Sequence, residues 1–212
     1  NAPRPGERLK VQLDGFEVPR DAYDAIISSG DVTCAEIAAR PGKPVLHLGP
    51  ERDHALFAGY DAPRVGVEAA DYVVCSGLFN DDTETPEDYR DLLGKMLGRK
   101  LPMICANPDL VVERGERLVY CAGAVADLYG QLGGDVLYAG KPHRPIYERA
   151  LALADQVRAR ATPLERVLAI GDSIRTDVTG AEKQGIDCLF ITGGIHAEEL
   201  GHRENPDLPT LQ

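Results

Sequence analysis

The sequence lacks several features that would place it in well-defined classes of protein. It has no tryptophan, and none of its apolar runs approaches the roughly 20 residues needed to cross a bilayer. Its five cysteines are odd in number and none forms a Cys-x-x-Cys pair, which favours reduced thiols over a disulfide framework or a zinc site. The N-terminal residues carry no signal-peptide pattern, so we expect a cytoplasmic protein.

Positive charge is also scarce in this chain. The sequence has 23 lysine and arginine residues against 34 aspartate and glutamate residues, a net charge of −11. Because no basic cluster interrupts this acidic background, we expect neither nucleic acid nor a membrane surface as a partner. A hydrophobic fraction of 43% excludes a disordered chain, and 212 residues allow one large domain or two small ones.

Short apolar runs alternate with helical patterns along the chain. Strands are predicted at 25–27, 45–48, 72–75, 103–105, 136–139, 167–170 and 188–191, and a hairpin at 110–112 and 118–120. Helices are predicted between them, including one over 31–39 that Asp31 would cap. This alternation implies right-handed β-α-β crossovers and a mainly parallel sheet, so the predicted fold class is α/β.

Three loops at predicted strand ends carry unusual residues, and ligands bind at the carboxyl ends of strands in open parallel sheets. Lys141, in Gly-Lys-Pro, lies between a strand and a helix, where a cation can meet a phosphate. Asp172 and Asp177 follow a strand that we predict to be buried, and their spacing suits one Mg²⁺ ion. The plainer alternatives are a solvated lysine and a helix-capping aspartate. The third loop, at 192–194, is typical of a turn.

An esterase is a competing interpretation of the same residues. The Gly-Asp-Ser-Ile sequence at 171–174 resembles the nucleophile block of GDSL-type esterases, in which Ser173 would attack an ester. That family places the block near its N-terminus, with an Asp and a His close together near its C-terminus. Here the block lies late in the chain, and neither His196 nor His202 has an Asp three residues before it.

Taken together, the motifs resemble those of the haloacid dehalogenase superfamily of phosphatases. The Gly-Lys-Pro loop, a helix, a strand and Gly-Asp-x-x-x-x-Asp stand in the order of that family's third and fourth motifs. Asn1 matches the Asn of the second motif, and the Ser-Ser-Gly at 28–30 matches the segment that leads into a large α/β cap. Ala-Asn-Pro-Asp at 106–109 is similar to a Thr-Asn-Pro-Asp late in that cap. The resemblance covers essentially the whole chain and points to the nitrophenylphosphatase-like branch.

The resemblance implies a domain organisation and an activity. It implies a Rossmann-like core with a parallel sheet, formed by residues 1–30 and 139–212, and an inserted α/β cap at 31–138. It also implies a Mg²⁺-dependent phosphatase of small phosphorylated metabolites that works through an aspartyl-phosphate.

The resemblance also implies roles for individual residues. Asp172 and Asp177 would be the metal ligands, and Asp177 would orient a metal-bound water or Lys141. Lys141 and Asp177 are the expected catalytic residues, because Lys141 would neutralise the transferring phosphoryl group. Asn1, Asn107 and Lys141 are the expected substrate contacts, although an Asn before Pro is as typical of a turn.

One motif of the family is absent from this sequence. The family's nucleophile is the first Asp of an Asp-x-Asp-Gly motif that lies upstream of the position matched by Asn1, and the sequence contains no Asp-x-Asp. We therefore expect the nucleophile upstream of this chain and expect the chain by itself to be inactive. The alternative is a non-catalytic domain of the same fold that binds a phosphorylated ligand. Homo-oligomer formation and the identity of the substrate stay open.

Overall fold

The computed structural model describes residues 1–114 and 117–201, and the chain divides into two compact units. The first unit comprises residues 1–140 and the second begins at Lys141. Within the described ranges, no helix combines the length and the apolar character that spanning a membrane requires. The division into a core of residues 1–30 and 139–212 and a cap of residues 31–138 stays a prediction.

A parallel sheet forms the centre of the first unit. The strands are β1 (Val45–Leu48), β2 (Tyr72–Cys75), β3 (Met103–Cys105), β4 (Val111–Arg114), β5 (Arg117–Tyr120) and β6 (Val136–Tyr138). Four of them lie side by side in the order β1-β2-β3-β6, and every pair in this sheet is parallel. The other two, β4 and β5, pair antiparallel as the predicted hairpin. The predicted α/β class and these strand positions are confirmed.

Helices connect these strands. They are α1 (Gly6–Gly15), α2 (Ser29–Ala38), α3 (Arg90–Gly98) and α4 (Ala122–Gln131), with 3₁₀ turns at Arg20–Ala22, Glu51–Phe57 and Pro86–Tyr89. Because Pro86 cannot donate a backbone hydrogen bond, it starts the turn that leads into α3.

The sheet is buried on both faces, which explains its apolar strands. Leu46, Val73 and Met103 point to one face, where they pack against Leu93 of α3 and Val125 of α4. The alternate residues of the same strands point to the other face, where they pack with side chains of α2 and of the turn at Glu51–Phe57. Successive strand residues point to opposite faces, so a sheet covered twice needs continuous apolar runs.

The start of α2 differs from the prediction in two ways. Ser28, not Asp31, is the N-cap: its side chain accepts a hydrogen bond from the Asp31 backbone N–H, and the Asp31 carboxylate accepts one from the Ser28 N–H. This reciprocal arrangement satisfies two N–H groups that the helix leaves free. The strand predicted at 25–27 is wrong, because these apolar residues have no paired strand beside them.

The second unit contains a smaller parallel sheet. Its elements are α5 (Arg144–Arg158), β7 (Leu168–Gly171), α6 (Thr179–Gln184) and β8 (Asp187–Phe190), with a 3₁₀ turn at Leu164–Arg166 and a π-helical turn at Ile174–Val178. The two strands pair in parallel, with Ile170 opposite Leu189. Gly185 ends α6 in the left-handed region at φ 67°, a conformation that glycine adopts without a steric penalty.

The prediction that β7 is a buried strand is wrong for one of its faces. Ile170 is 63% exposed and Leu168 54%, while the residues between them are half-buried. In β8, Leu189 is 50% exposed on the same face. Because these side chains are at least half exposed, no layer of described residues covers this face of the sheet.

This difference predicts uneven protection of the two sheets. In a dilute solution of the chain, amides of β2 and β3 should exchange at least about tenfold more slowly than those of β7 and β8, because fully buried strands open only near global unfolding. Hydrogen exchange resolved by segment measures this. Equal protection of the two sheets would contradict the expectation, and a concentration series separates intrinsic protection from self-association.

Candidate functional site

The predicted lysine and the second predicted aspartate meet directly in the second unit. Lys141 lies in the turn before α5, and its Nζ forms an ion pair with Oδ1 of Asp177. The Asp177 side chain is 10% exposed and that of Lys141 33%. Partial burial strengthens the attraction relative to a pair in open water, so the ammonium group is held in place.

The turn after β7 fixes the Asp177 carboxylate. Its Oδ2 accepts a hydrogen bond from the Ser173 N–H at 3.1 Å, and the Asp177 N–H donates to the Ser173 carbonyl at 2.9 Å. A Cβ atom on Gly171 would overlap the Asp177 carboxyl group, so the close approach depends on glycine at that position. The heptapeptide 171–177 therefore folds as one unit around this carboxylate.

Asp172 is held from another direction by the third predicted loop. Its Oδ2 accepts a hydrogen bond from the Ile195 N–H at 3.0 Å. A side chain on Gly194 would overlap the Asp172 carboxyl group. The residue after the loop at 192–194 thus orients Asp172 through its backbone N–H, and Gly194 within the loop leaves room for the carboxyl group.

This turn carries the predicted Mg²⁺ ligands, Asp172 and Asp177. Within the described ranges, no group of three or more His, Cys, Asp and Glu side chains gathers as a metal site. Mg²⁺, however, keeps several waters and takes only one or two carboxylates from the protein. Asp172 is half-buried, and its Oδ1 has no described hydrogen-bond donor. Both oxygens of Asp177 already accept hydrogen bonds, from Lys141 and from Ser173. Asp172 therefore fits the ion better than Asp177 does.

Tyr147, which the sequence did not single out, lies near the same carboxylate. Burial raises its pKa to about 12, and the negative charge of Asp177 adds to the shift. A side chain on Gly180 would overlap the Tyr147 hydroxyl, so glycine leaves room for it in α6. The phenol stays protonated and adds no negative charge beside Lys141.

The geometry does not support the esterase alternative. The Ser173 hydroxyl accepts a hydrogen bond from the Thr176 N–H at 3.3 Å. His196 Nε2 accepts from the Ile174 N–H at 3.3 Å, and its Nδ1 lies 2.8 Å from Glu199. Among the described residues no histidine is hydrogen-bonded to Ser173, and His202 lies outside them. An activated serine needs such a base.

The two predicted asparagines come together in the first unit. Asn1 Nδ2 donates to Oδ1 of Asp109 at 2.9 Å, and the Asp109 N–H donates to the Asn107 side-chain oxygen at 3.2 Å. Asn107 is buried at 7% exposure. A side chain on Gly140 would overlap the Asn1 amide. Asp109 thus links the two, and the Asn-Pro-Asp motif was the signal that could have identified it.

The Ser-Ser-Gly motif has a visible structural task in the same unit. Ser29 exchanges two hydrogen bonds with the backbone of Ala2, at 3.0 and 2.9 Å. The Ser28 hydroxyl donates to the Arg4 carbonyl at 2.6 Å, and a side chain on Gly30 would overlap the Arg4 backbone. The motif therefore clamps the segment that follows Asn1 onto the start of α2.

A third polar group, which the sequence analysis missed, lies at the carboxyl ends of β1 and β2. His47 Nε2 lies 2.9 Å from the Ser76 hydroxyl. Burial raises the pKa of Asp53, although the Ser76 side chain acts to lower it. Burial, together with the charges of His54 and Arg64, lowers the pKa of His47 to about 4. The only signal in the sequence was a histidine inside an apolar strand.

Comparisons with known proteins identify relatives. A family model described as HAD-hydrolase-like matches residues 138–211. A search of curated proteins gives no match. Among solved structures, a haloacid dehalogenase-like hydrolase from Brucella suis 1330 is 50% identical, with a TM-score of 0.85, over 92% of this chain and 75% of that one.

More distant structures share the fold. A p-nitrophenyl phosphatase from Archaeoglobus fulgidus is 23% identical, with a TM-score of 0.71, over 98% of this chain and 75% of that one. A glycerol phosphate phosphatase from Mycobacterium tuberculosis, solved with calcium, is 22% identical, with a TM-score of 0.63, over 90% of this chain and 54% of that one. At these identities the likeness concerns the fold alone.

The buried His47 predicts a pH-dependent stability. Its pKa is about 4 in the fold against 6.5 in the open chain, so the unfolded state binds more protons as the pH falls from 6.5 to 4. The free energy of unfolding should therefore fall over this range, by on the order of 3 kcal/mol from His47 alone. Urea unfolding of His47→Gln should show a shallower decline, while His196→Gln should keep the original one. Identical declines in all three proteins would contradict this expectation.

Proposed function

Because the chain belongs to the haloacid dehalogenase-like hydrolase family, we propose that it acts as a Mg²⁺-dependent phosphatase of small phosphorylated metabolites. The observation that carries the proposal is the Lys141 ammonium held on the buried Asp177 carboxylate, in the same turn as Asp172. The fold shared with a p-nitrophenyl phosphatase and a glycerol phosphate phosphatase supports it. The substrate is expected to be a phosphate monoester.

Lys141 is the residue proposed to meet the phosphoryl group. A phosphoryl group in transfer carries negative charge on its equatorial oxygens, and a fixed cation stabilises that charge without reorganising. Asp177 holds the ammonium group by its Oδ1, while the Ser173 N–H holds Oδ2. Asp177 was expected to orient either a metal-bound water or Lys141, and its direct contact with Lys141 supports the second role. Asp177 is therefore proposed as a positioning residue for Lys141.

Asp172 is proposed as the metal ligand. The Ile195 N–H fixes one carboxylate oxygen and leaves the other for a cation. Mg²⁺ bound there would neutralise phosphate charge during transfer. Asp177, the second predicted ligand, would not need to bind the metal, because its proposed role is to position Lys141.

The attacking group is proposed to be an aspartate of the Asp-x-Asp-Gly motif, which this sequence does not contain. Its carboxylate oxygen would form a bond to phosphorus as the ester P–O bond breaks and the alcohol leaves. Water would then cleave the aspartyl-phosphate and release inorganic phosphate. Asn1 and Asn107, joined through Asp109, are proposed to contact the substrate, and the cap at 31–138 is proposed to select it.

The first test concerns Asp172. In the natural full-length protein, Asp172→Asn should abolish Mg²⁺-dependent hydrolysis of p-nitrophenyl phosphate, because an amide oxygen carries no charge for the cation. Titration calorimetry should show that the variant no longer binds Mg²⁺. Thermal unfolding should show an unchanged melting temperature. Asp91→Asn, an exposed aspartate on α3, serves as the matched control and should retain both properties. Full activity of Asp172→Asn would remove Asp172 from the metal site.

The second test concerns Lys141. Lys141→Ala in the full-length protein should lower kcat by at least about 100-fold, the scale of losing one preorganised electrostatic contact. Lys183→Ala replaces an exposed lysine on α6 and should leave kcat unchanged. A loss smaller than about threefold for Lys141→Ala would return Lys141 to the role of a solvated surface residue.

A further inference from the structure

A cavity of about 400 Å³ lies in the first unit, and none of the residues assigned to the phosphatase site lines it. The residues that line it include Arg4, Arg8 and Arg52, together with Gln12 and Asp53. Arg4, Arg8 and Arg52 outnumber Asp53 and the Asp81 that pairs with Arg52, so the lining is locally cationic in a chain whose net charge is −11. A cluster of positive charge in a cavity attracts a negatively charged ligand.

The arginines of this cavity differ in how they are held. Arg52 forms an ion pair with Asp81, and Asp81 also binds Arg114 at 2.7 Å. This ion pair restrains the Arg52 guanidinium group. Among the described residues, no carboxylate lies within ion-pair distance of Arg4 or Arg8. Both residues are exposed, so their guanidinium N–H groups can donate hydrogen bonds to a ligand.

The backbone that carries Arg4 is preorganised. The Ser28 hydroxyl donates to the Arg4 carbonyl at 2.6 Å, and the Gly6 N–H donates to the Asp31 carboxylate at 3.0 Å. Pro3 and Pro5 flank Arg4 and fix the backbone further. A rigid segment loses little conformational entropy when a ligand binds, so the cavity wall is a built feature and not a mobile terminus.

The carboxylate in the wall does not neutralise the arginines. Asp53 is buried at 5% exposure. Asp81 already pairs with Arg52, so Arg4 and Arg8 are the two guanidinium groups in the wall that have no carboxylate at ion-pair distance among the described residues. Two such groups can bind the oxygens of a doubly charged anion.

We propose that this cavity is a binding site for a small dianion, a group with two negative charges on oxygen such as a phosphoryl group or a dicarboxylate. Guanidinium groups bind such oxygens through paired, charge-assisted hydrogen bonds. The site lies within the first unit and does not depend on phosphatase activity. Its occupant is a substrate portion or an effector that carries that group.

The test is titration calorimetry of the chain with inorganic phosphate, malonate and acetate at constant ionic strength. Phosphate or malonate should bind, and acetate should bind at least about tenfold more weakly because it has one charge. The double variant Arg4→Gln/Arg8→Gln should lose at least about tenfold in affinity, the scale of a lost charge-assisted hydrogen bond. Arg90→Gln, an exposed arginine paired with Glu87, is the matched control and should bind as the original chain does.

Lys141→Ala separates this cavity from the proposed phosphatase site. Binding that persists in Lys141→Ala but is lost in the double arginine variant belongs to the cavity, whichever of the two dianions binds. Binding lost in Lys141→Ala and retained in the double variant would overturn the proposal. So would equal weakening by Arg90→Gln, or the absence of phosphate and malonate binding at tens of millimolar. Circular dichroism of each variant confirms that it is folded.

Discussion

The burial of the four-stranded sheet on both faces is the constraint on which the first unit depends. Its strands β1, β2 and β3 are buried on both faces and β6 is half-buried, so polar side chains within them would need buried partners. Polar residues therefore collect where the strands end. Ser76 follows β2 and Asn107 follows β3, and each is hydrogen-bonded there. The carboxyl edge of the sheet is the polar edge because the rest of the sheet must be apolar.

Carboxylates held by backbone N–H groups recur in both units. Asp31 accepts from the Gly6 and Ser28 N–H groups, Asp172 from Ile195 and Asp177 from Ser173. In the second unit, this close approach needs a neighbouring residue that has no Cβ atom. Gly171 and Gly194 meet that requirement in the second unit, as side chains there would overlap the two aspartates. Glycines thus position the acidic side chains that the proposed chemistry uses.

The placement of cations distinguishes functional candidates from the acidic surface. Most arginine–carboxylate pairs are exposed and contribute little to stability, such as Arg90 with Glu87. Lys141 instead pairs with a buried carboxylate, and Arg4 and Arg8 line a cavity without a paired carboxylate among the described residues. In an acidic chain, such positions are the ones where a phosphorylated ligand can bind.

Most of the fold was predictable because its signals are local. The apolar runs of β1, β2 and β3 are bounded by turn residues, and Pro86 starts the turn that leads into α3. Two errors concern apolar runs that lack a partner among the described residues: the run at 25–27 has no paired strand, and the outer face of β7 has no covering layer. Apolar sequence indicates what would be buried if a partner were present, but does not show that one is.

The sequence by itself determined the α/β class, the order of the motifs and the candidacy of Lys141, Asp172 and Asp177. These follow from residue types at fixed spacing within single turns. Only the tertiary structure decided that Asp177 holds Lys141, that Asp109 links the two asparagines and that the arginines share a cavity. Those contacts join residues up to 108 positions apart. No local pattern encodes them, because they exist only once each unit has folded and brought distant segments of the chain together.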